Sequence, residues 1–172
     1  PLVLLRPRPL FLGDRVIDAE GMLVLPGGID AHCHIEQESS TRIMTADDFY
    51  SGSVSAAFGG NTTFLPFAAQ HRGQSLRDVV DTARERARNK AVIDYGLHLI
   101  ISDPTQNVLE EELPSLIKEG YTSFKVYMTY EMLKINDREM LDILALARRH
   151  GALTMVHAEN NEVINWISDR LI

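Results

Sequence analysis

Six histidines, one cysteine and a lysine set inside an apolar segment are the side chains of this sequence best suited to chemistry. His32 and His34 flank Cys33 in Pro26-Gly27-Gly28-Ile29-Asp30-Ala31-His32-Cys33-His34, behind the apolar run Met22-Leu23-Val24-Leu25. The paired glycines suit a tight turn. Side chains alternate faces along a strand, so a strand over 29–34 puts both imidazoles on one side and Cys33 on the other. Two such imidazoles at a strand end can grip one metal ion. The plainer alternative is a pair of polar residues on a wet strand face.

Lys125 lies within Phe124-Lys125-Val126-Tyr127-Met128, where alternation sets Lys125 and Tyr127 opposite the other three. A buried, unpaired ammonium is costly. Either the lysine snorkels out or pairs with an acid, or a depressed pKa lets its amine take up carbon dioxide. The resulting carbamate is an anionic ligand with two oxygens, able to bridge two metals. His157 ends Met155-Val156-His157, which places it at the same rim as the first pair. Tyr130 follows the Lys125 strand and could donate a hydrogen bond to a developing oxyanion, packing being the commoner role. His71 reads as a loop residue, His98 as a hydrogen-bonded core residue, and His150 as a cation at a helix C-terminus. Glu110-Glu111-Glu112 reads as a solvated helix face.

Alternating strands and helices must position these groups. Thr45, followed by Asp48, predicts a helix start, with the helix carrying Phe49, Val54, Ala57 and Phe58 to Gly59-Gly60. Strands are predicted over 62–65, 92–102, 123–128 and 153–157. Ser75 with Asp78 opens a second helix, with Leu76, Val79, Val80 and Ala83 on one face. Pro114 to Glu119 forms a third. Asn136 with Glu139 opens a fourth, with Leu141, Leu144 and Ala145 facing inward, and a fifth runs from Asn161. These are five βα units of crossover length. A doubly wound sheet and a (β/α)8 barrel share this rhythm. A nucleotide-binding sheet should carry a Gly-rich fingerprint after its first strand, and none is present. Barrels place their chemistry at strand C-terminal ends, where His32, His34 and His157 lie. A barrel needs at least about 200 residues, so the 172 residues present supply five units of eight.

Composition excludes several classes. Hydrophobic residues make up 45% and charged residues 24%, as in a globular domain, and the formal charge of −7 argues against nucleic acid and anionic membranes. With Cys33 alone no internal disulfide forms, and a reducing, cytoplasmic setting is expected. No stretch approaches a membrane span of about 20 apolar residues, and the short opening Pro1-Leu2-Val3-Leu4-Leu5 is a poor signal peptide. The lack of an initiating Met suggests a processed, trimmed or partial chain.

These residues together resemble the amidohydrolase superfamily and, within it, the dihydropyrimidinase and D-hydantoinase family. The matching stretches are 27–34, Asp47-Asp48-Phe49, Gly59-Gly60-Asn61-Thr62-Thr63, Ser123 to Tyr130 and Val156-His157-Ala158-Glu159-Asn160. The resemblance implies an α/β fold: part of a TIM-like (β/α)8 barrel over 27–172, with residues 1–26 as strands of a small β-sandwich domain. It implies two divalent ions, zinc-like, with His32 and His34 on the first, His157 on the second and carbamylated Lys125 on both. Tyr130 would steady the tetrahedral intermediate as hydroxide attacks a ring carbonyl of a dihydropyrimidine or a 5-substituted hydantoin. The family also uses a histidine from the sixth strand and an aspartate from the eighth, and the sequence stops before either. This chain alone is therefore expected to be inactive, and the whole protein to be a homo-oligomer, tetrameric in the family. The alternatives are an allantoinase or dihydroorotase-like enzyme, a non-catalytic member acting through its surfaces, and a truncated product without activity.

Overall fold

In the computed structural model, residues 19–39 and 43–171 are described. Parallel strands β1 (Gly28–Cys33), β2 (Asn61–Ala69), β4 (His98–Ile100), β5 (Ser123–Tyr127) and β6 (Leu153–His157) lie side by side in chain order, and the short β3 (Asp94–Tyr95) pairs with β2 off that path. Helices α1 (Phe49–Phe58), α2 (Leu76–Ala87), α3 (Leu113–Lys118), α4 (Asp137–His150) and α5 (Asn161–Leu171) alternate with them.

The two faces of the sheet are unlike. Phe64, Ala68, Leu99, Phe124 and Val126 are buried on one face, where Phe49 of α1, Val80 of α2, Leu116 of α3 and Leu146 of α4 are buried too. The other face carries Phe67, Ile100 and Tyr127, packed with Ala69, Leu133 and Met155. A doubly wound sheet is covered by helices on both faces, whereas a barrel wall has helices outside and packs its inner face with its own side chains. The arrangement is a partial barrel.

Local chemistry sets the ends of the elements, and here several expectations change. Asp48, not Thr45, caps α1: its carboxylate accepts the Tyr50 and Ser51 N–H groups, and Ser51 Oγ accepts the Asp48 N–H. The expected strand over 92–102 is split into β3 and β4. Pro66 lies between the stretch of β2 that pairs with β3 and the stretch that pairs with β4, and it has no N–H to donate to a ladder. Ser75 and Asn136 cap α2 and α4 as predicted, and Gly151 closes α4 at a left-handed φ of 72°.

The buried face of α4 is Ile143, Leu146 and Ala147, while Leu141, Leu144 and Ala145 are exposed; a shift of two residues is about 200° on a helix, so the inward face is nearly opposite the one predicted. Glu112 is not simply solvated. It ends a turn of π-helix, Val108–Glu112, and accepts the Leu76 and Arg77 N–H groups at 2.6 and 3.3 Å, which satisfies the free N-terminus of α2. Gly27 and Gly28 serve close approach rather than a left-handed turn. A Cβ on Gly27 would fall 2.1 Å from Thr62 Cγ2, and one on Gly28 would fall 2.4 Å from Asn61 Oδ1. The strands expected before Gly27 fall largely on residues 1–18, outside the described residues; residues 19–27 hold a turn, closed by Met22 N–H to Ala19 O at 2.7 Å.

Candidate metal centre

β1 delivers His32 and His34 to the inner face and Cys33 to the helix-covered face, where it packs with the Phe49 and Phe64 cluster. The two imidazoles lie edge to face with centroids 5.4 Å apart, and both rest on Phe67 of β2, at 4.7 and 5.0 Å. Phe67 was not singled out in the sequence, yet it is the floor of the pair. The Asp30 carboxylate accepts the His32 backbone N–H at 3.1 Å and fixes the turn of the strand end. Partial desolvation, with the charges of His34, Lys125 and His98, holds His32 below the usual histidine range. A neutral imidazole keeps the lone pair that a metal needs.

The chain leaving β1 is strongly held. Glu36, at φ 46°, receives the Lys90 ammonium on both carboxylate oxygens at 3.0 Å. Its backbone carbonyl accepts from Arg86 at 2.9 Å, and its N–H donates to Asp47 O at 2.9 Å. Gln37 is tied at both backbone groups to Thr45, and its Oε1 lies 2.8 Å from His34 Nδ1. The partners of this loop are Thr45 and Asp47 ahead of α1, and Arg86 and Lys90 at the end of α2 and just beyond it.

Lys125 and Tyr127 project from β5 to the inner face, as alternation requires, while Phe124 and Val126 enter the helix-side core. The Lys125 ammonium lies over the Tyr127 ring, 5.3 Å from its centroid. Its charge also acts on His32. His157 of β6 stacks on Tyr127 at 5.5 Å and meets Tyr130 at 5.1 Å, and its Nε2 is hydrogen-bonded to the Glu159 carboxylate. Burial, and then Tyr130, raise the Tyr127 pKa above its ordinary value. Tyr130 itself has a left-handed φ of 68°, uncommon for a residue with a bulky side chain. It opens a tight turn in which its carbonyl accepts the Leu133 and Lys134 N–H groups, each at 2.8 Å, and Arg72 donates to Lys134 O at 2.9 Å.

The structure thus brings His32 to His34 and His157 to Tyr130, with Lys125 related to both groups. Among the described residues, no three His, Cys, Asp or Glu side chains converge closely enough to hold an ion. The donor set still fits metal ions in kind: two adjacent imidazoles, a third across the face, and a lysine that becomes an oxygen ligand only as its carbamate. His98 is spent otherwise, with Nδ1 at 2.5 Å from Ser123 Oγ and Nε2 donating to Ala31 O at 2.9 Å, the structural role expected of it.

The amidohydrolase family profile matches residues 23–172. The D-hydantoinase of Geobacillus stearothermophilus is 46% identical over 162 residues, which are 93% of this chain and 34% of that protein. A solved D-hydantoinase from Bacillus sp. AR9 superposes with a TM-score of 0.84 at 42% identity, over 90% of this chain and 34% of that one. The dihydropyrimidinase of Brevibacillus agri superposes with a TM-score of 0.80 at 43% identity, over 85% of this chain and 32% of that one. The chain spans about a third of the length of these relatives. With the strand order, the one-sided helix layer and the profile match over most of its length, this chain belongs to the amidohydrolase family.

Proposed function

We propose that this chain forms the N-terminal part of the barrel of a cyclic amidohydrolase that opens a dihydropyrimidine or 5-substituted hydantoin ring. The observation that carries this reading is the placement of His32, His34, Lys125, His157 and Tyr130 on the helix-free face, near the C-terminal ends of parallel strands. The identity to D-hydantoinases supports the substrate class. Residues 1–26 belong, in this reading, to a small β-sandwich, and 27–172 to the barrel.

His32 and His34 would hold one divalent ion, most simply zinc, and His157 a second. Lys125, as its Nζ carbamate, would supply the anionic oxygen ligand that the imidazoles lack. Bound metal supplies hydroxide near neutral pH. Phe67 fixes the paired imidazoles from below. Tyr130, held by its tight turn, donates a hydrogen bond to the carbonyl oxygen as that oxygen gains charge. Hydroxide adds to the ring carbonyl carbon, the ring C–N bond then breaks, and the nitrogen leaves with the proton that the hydroxide gives up. The resemblance assigns that proton to an aspartate of the eighth strand, so the 172-residue chain by itself should not turn over cyclic amides. The whole protein is proposed to be a cytoplasmic homo-oligomer; among the described residues, no helix is long and apolar enough to cross a membrane.

The test joins this chain to the remaining two thirds of a D-hydantoinase and compares the chimera with its Lys125→Ala variant. We expect the variant to fold, to lose tightly bound metal and to lose ring opening of dihydrouracil and hydantoin. Short carboxylic acids should restore part of the rate by replacing the carbamate. Full metal content and full rate in Lys125→Ala without added acid would sink the reading.

A further inference from the structure

We infer that Gln37 and Glu159 are positioning residues that fix the tautomers of His34 and His157, so that His34 offers Nε2 and His157 offers Nδ1 to metal. The inference rests on the metal reading above and goes beyond it, to individual atoms and to residues outside the ligand set.

A neutral imidazole has one N–H and one lone pair, and the partner of one nitrogen decides which is which. Gln37 Oε1 can only accept, so at 2.8 Å His34 Nδ1 must donate to it. The His34 lone pair is then on Nε2. The Glu159 carboxylate likewise only accepts, so His157 Nε2 carries the hydrogen and Nδ1 the lone pair. Metal-ligating histidines commonly give their second N–H to a carboxylate or carbonyl oxygen in this way. His98 supplies the contrast within the same molecule. Both of its nitrogens are engaged, by Ser123 Oγ and Ala31 O, which leaves no lone pair for an ion.

The two supports are built differently. Gln37 is locked through its backbone, with its N–H on Thr45 Oγ1 at 3.1 Å and its carbonyl accepting the Thr45 N–H at 3.0 Å. With the main chain so held, the Gln37 side chain reaches His34 at 2.8 Å. Glu159 stands two residues after His157, whose imidazole stacks on Tyr127 with centroids 5.5 Å apart. One half of the candidate centre is thus oriented by a neutral amide and the other by a carboxylate. A carboxylate partner raises the basicity of the imidazole more than an amide does. The His157 side should be the more electron-rich donor.

The test uses the 172-residue chain, metal-free, in long-range ¹H–¹⁵N correlation spectra recorded above the histidine titration range. His34 should show the Nδ1–H tautomer, which free histidine disfavours, and His157 the Nε2–H tautomer. Gln37→Leu should return His34 to mixed or Nε2–H character, and Gln37→Glu, which keeps an acceptor, should preserve Nδ1–H. Glu159→Ala should release His157, and Glu159→Gln should hold it. Zinc titration should show affinity about 10- to 100-fold lower in the Leu and Ala variants, with recovery in the Glu and Gln variants. Zinc uptake with His34 as Nε2–H, or tautomers unmoved by Gln37→Leu and Glu159→Ala, overturns this inference alone. The stated tautomers without any zinc uptake overturn the metal reading, and with it the assignment of ligating atoms.

Discussion

Thr45 and Gln37 hold each other by a reciprocal pair of hydrogen bonds, the Gln37 N–H on Thr45 Oγ1 at 3.1 Å and the Thr45 N–H on the Gln37 carbonyl at 3.0 Å. A residue that looks like a helix cap in the sequence is instead the tie that keeps the loop after His34 in place. The cap is Asp48, three residues on, and the two roles can be separated by experiment.

Thr45→Val should leave the helix content of α1 unchanged, and Asp48→Ala should fray it and lower the urea midpoint. The acid response should differ as well. The Ser51 backbone N–H, together with its hydroxyl and Lys90, holds the Asp48 carboxyl below its usual range. A depressed folded-state pKa contributes stability above the unfolded value, about 3.9 for aspartate, and loses it as pH falls further. Asp48→Asn should therefore flatten the fall in stability below about pH 4. Equal acid sensitivity in the two proteins would mean that the charge of the cap contributes nothing.

The buried face of α4 gives a stability test. Leu146 is 1% exposed and Leu141 is 63% exposed. Leu146→Ala should cost about 2–5 kcal/mol through lost burial and a cavity, and Leu141→Ala no more than about 0.5 kcal/mol. Denaturant unfolding of both variants checks this, and the reverse order would restore the face read from the sequence.

Cys33 should be a slow thiol. Burial, and then the negative charge of Asp30, push its pKa up to about 11. Iodoacetamide at pH 8 should label it far more slowly in the native chain than after unfolding, because the thiolate is the nucleophile. A raised thiol pKa also means that the folded state holds its proton longer than the unfolded state. Its contribution to stability is complete at neutral pH and declines as pH rises from about 9 towards 11. Rapid native labelling would place the thiol in water instead.

Tyr130→Phe, in the chimera that completes the barrel, should lower kcat by about 10²–10³ with little change in KM, because the donated hydrogen bond strengthens on charge that develops in the transition state. Phenylalanine keeps the ring contact with His157, 5.1 Å between centroids, so packing is nearly preserved. A change confined to KM would assign the hydroxyl to substrate binding.

Much of this was legible along the chain, because it depends on near neighbours. Alternation alone sets His32 with His34, and Lys125 with Tyr127, on faces away from Cys33 and Phe124. The caps at Ser75 and Asn136 and the left-handed close at Gly151 follow from local hydrogen bonding and from freedom without a Cβ. What only the tertiary structure decided depends on partners distant in sequence. Glu112 finds the N-terminus of α2, 36 residues away, and Lys90 finds Glu36, 54 residues away. α4 carries apolar residues on nearly opposite sides, Leu141 and Leu144 on one and Ile143, Leu146 and Ala147 on the other, and only contact with β6 and the core selects the second set. The segment 92–102 carries Gly96 between β3 and β4, and the break in its pairing also falls beside Pro66 of the neighbouring strand, which has no N–H for the ladder. Phe67 acquires its place beneath two histidines because β2 pairs with β1 and, after a register shift beyond Asp30, sets Pro66 opposite Cys33. Residue types and periodicity determine which groups share a face. Which of them touch is decided by sheet pairing and loop anchoring, whose energies come from contacts that no local window contains.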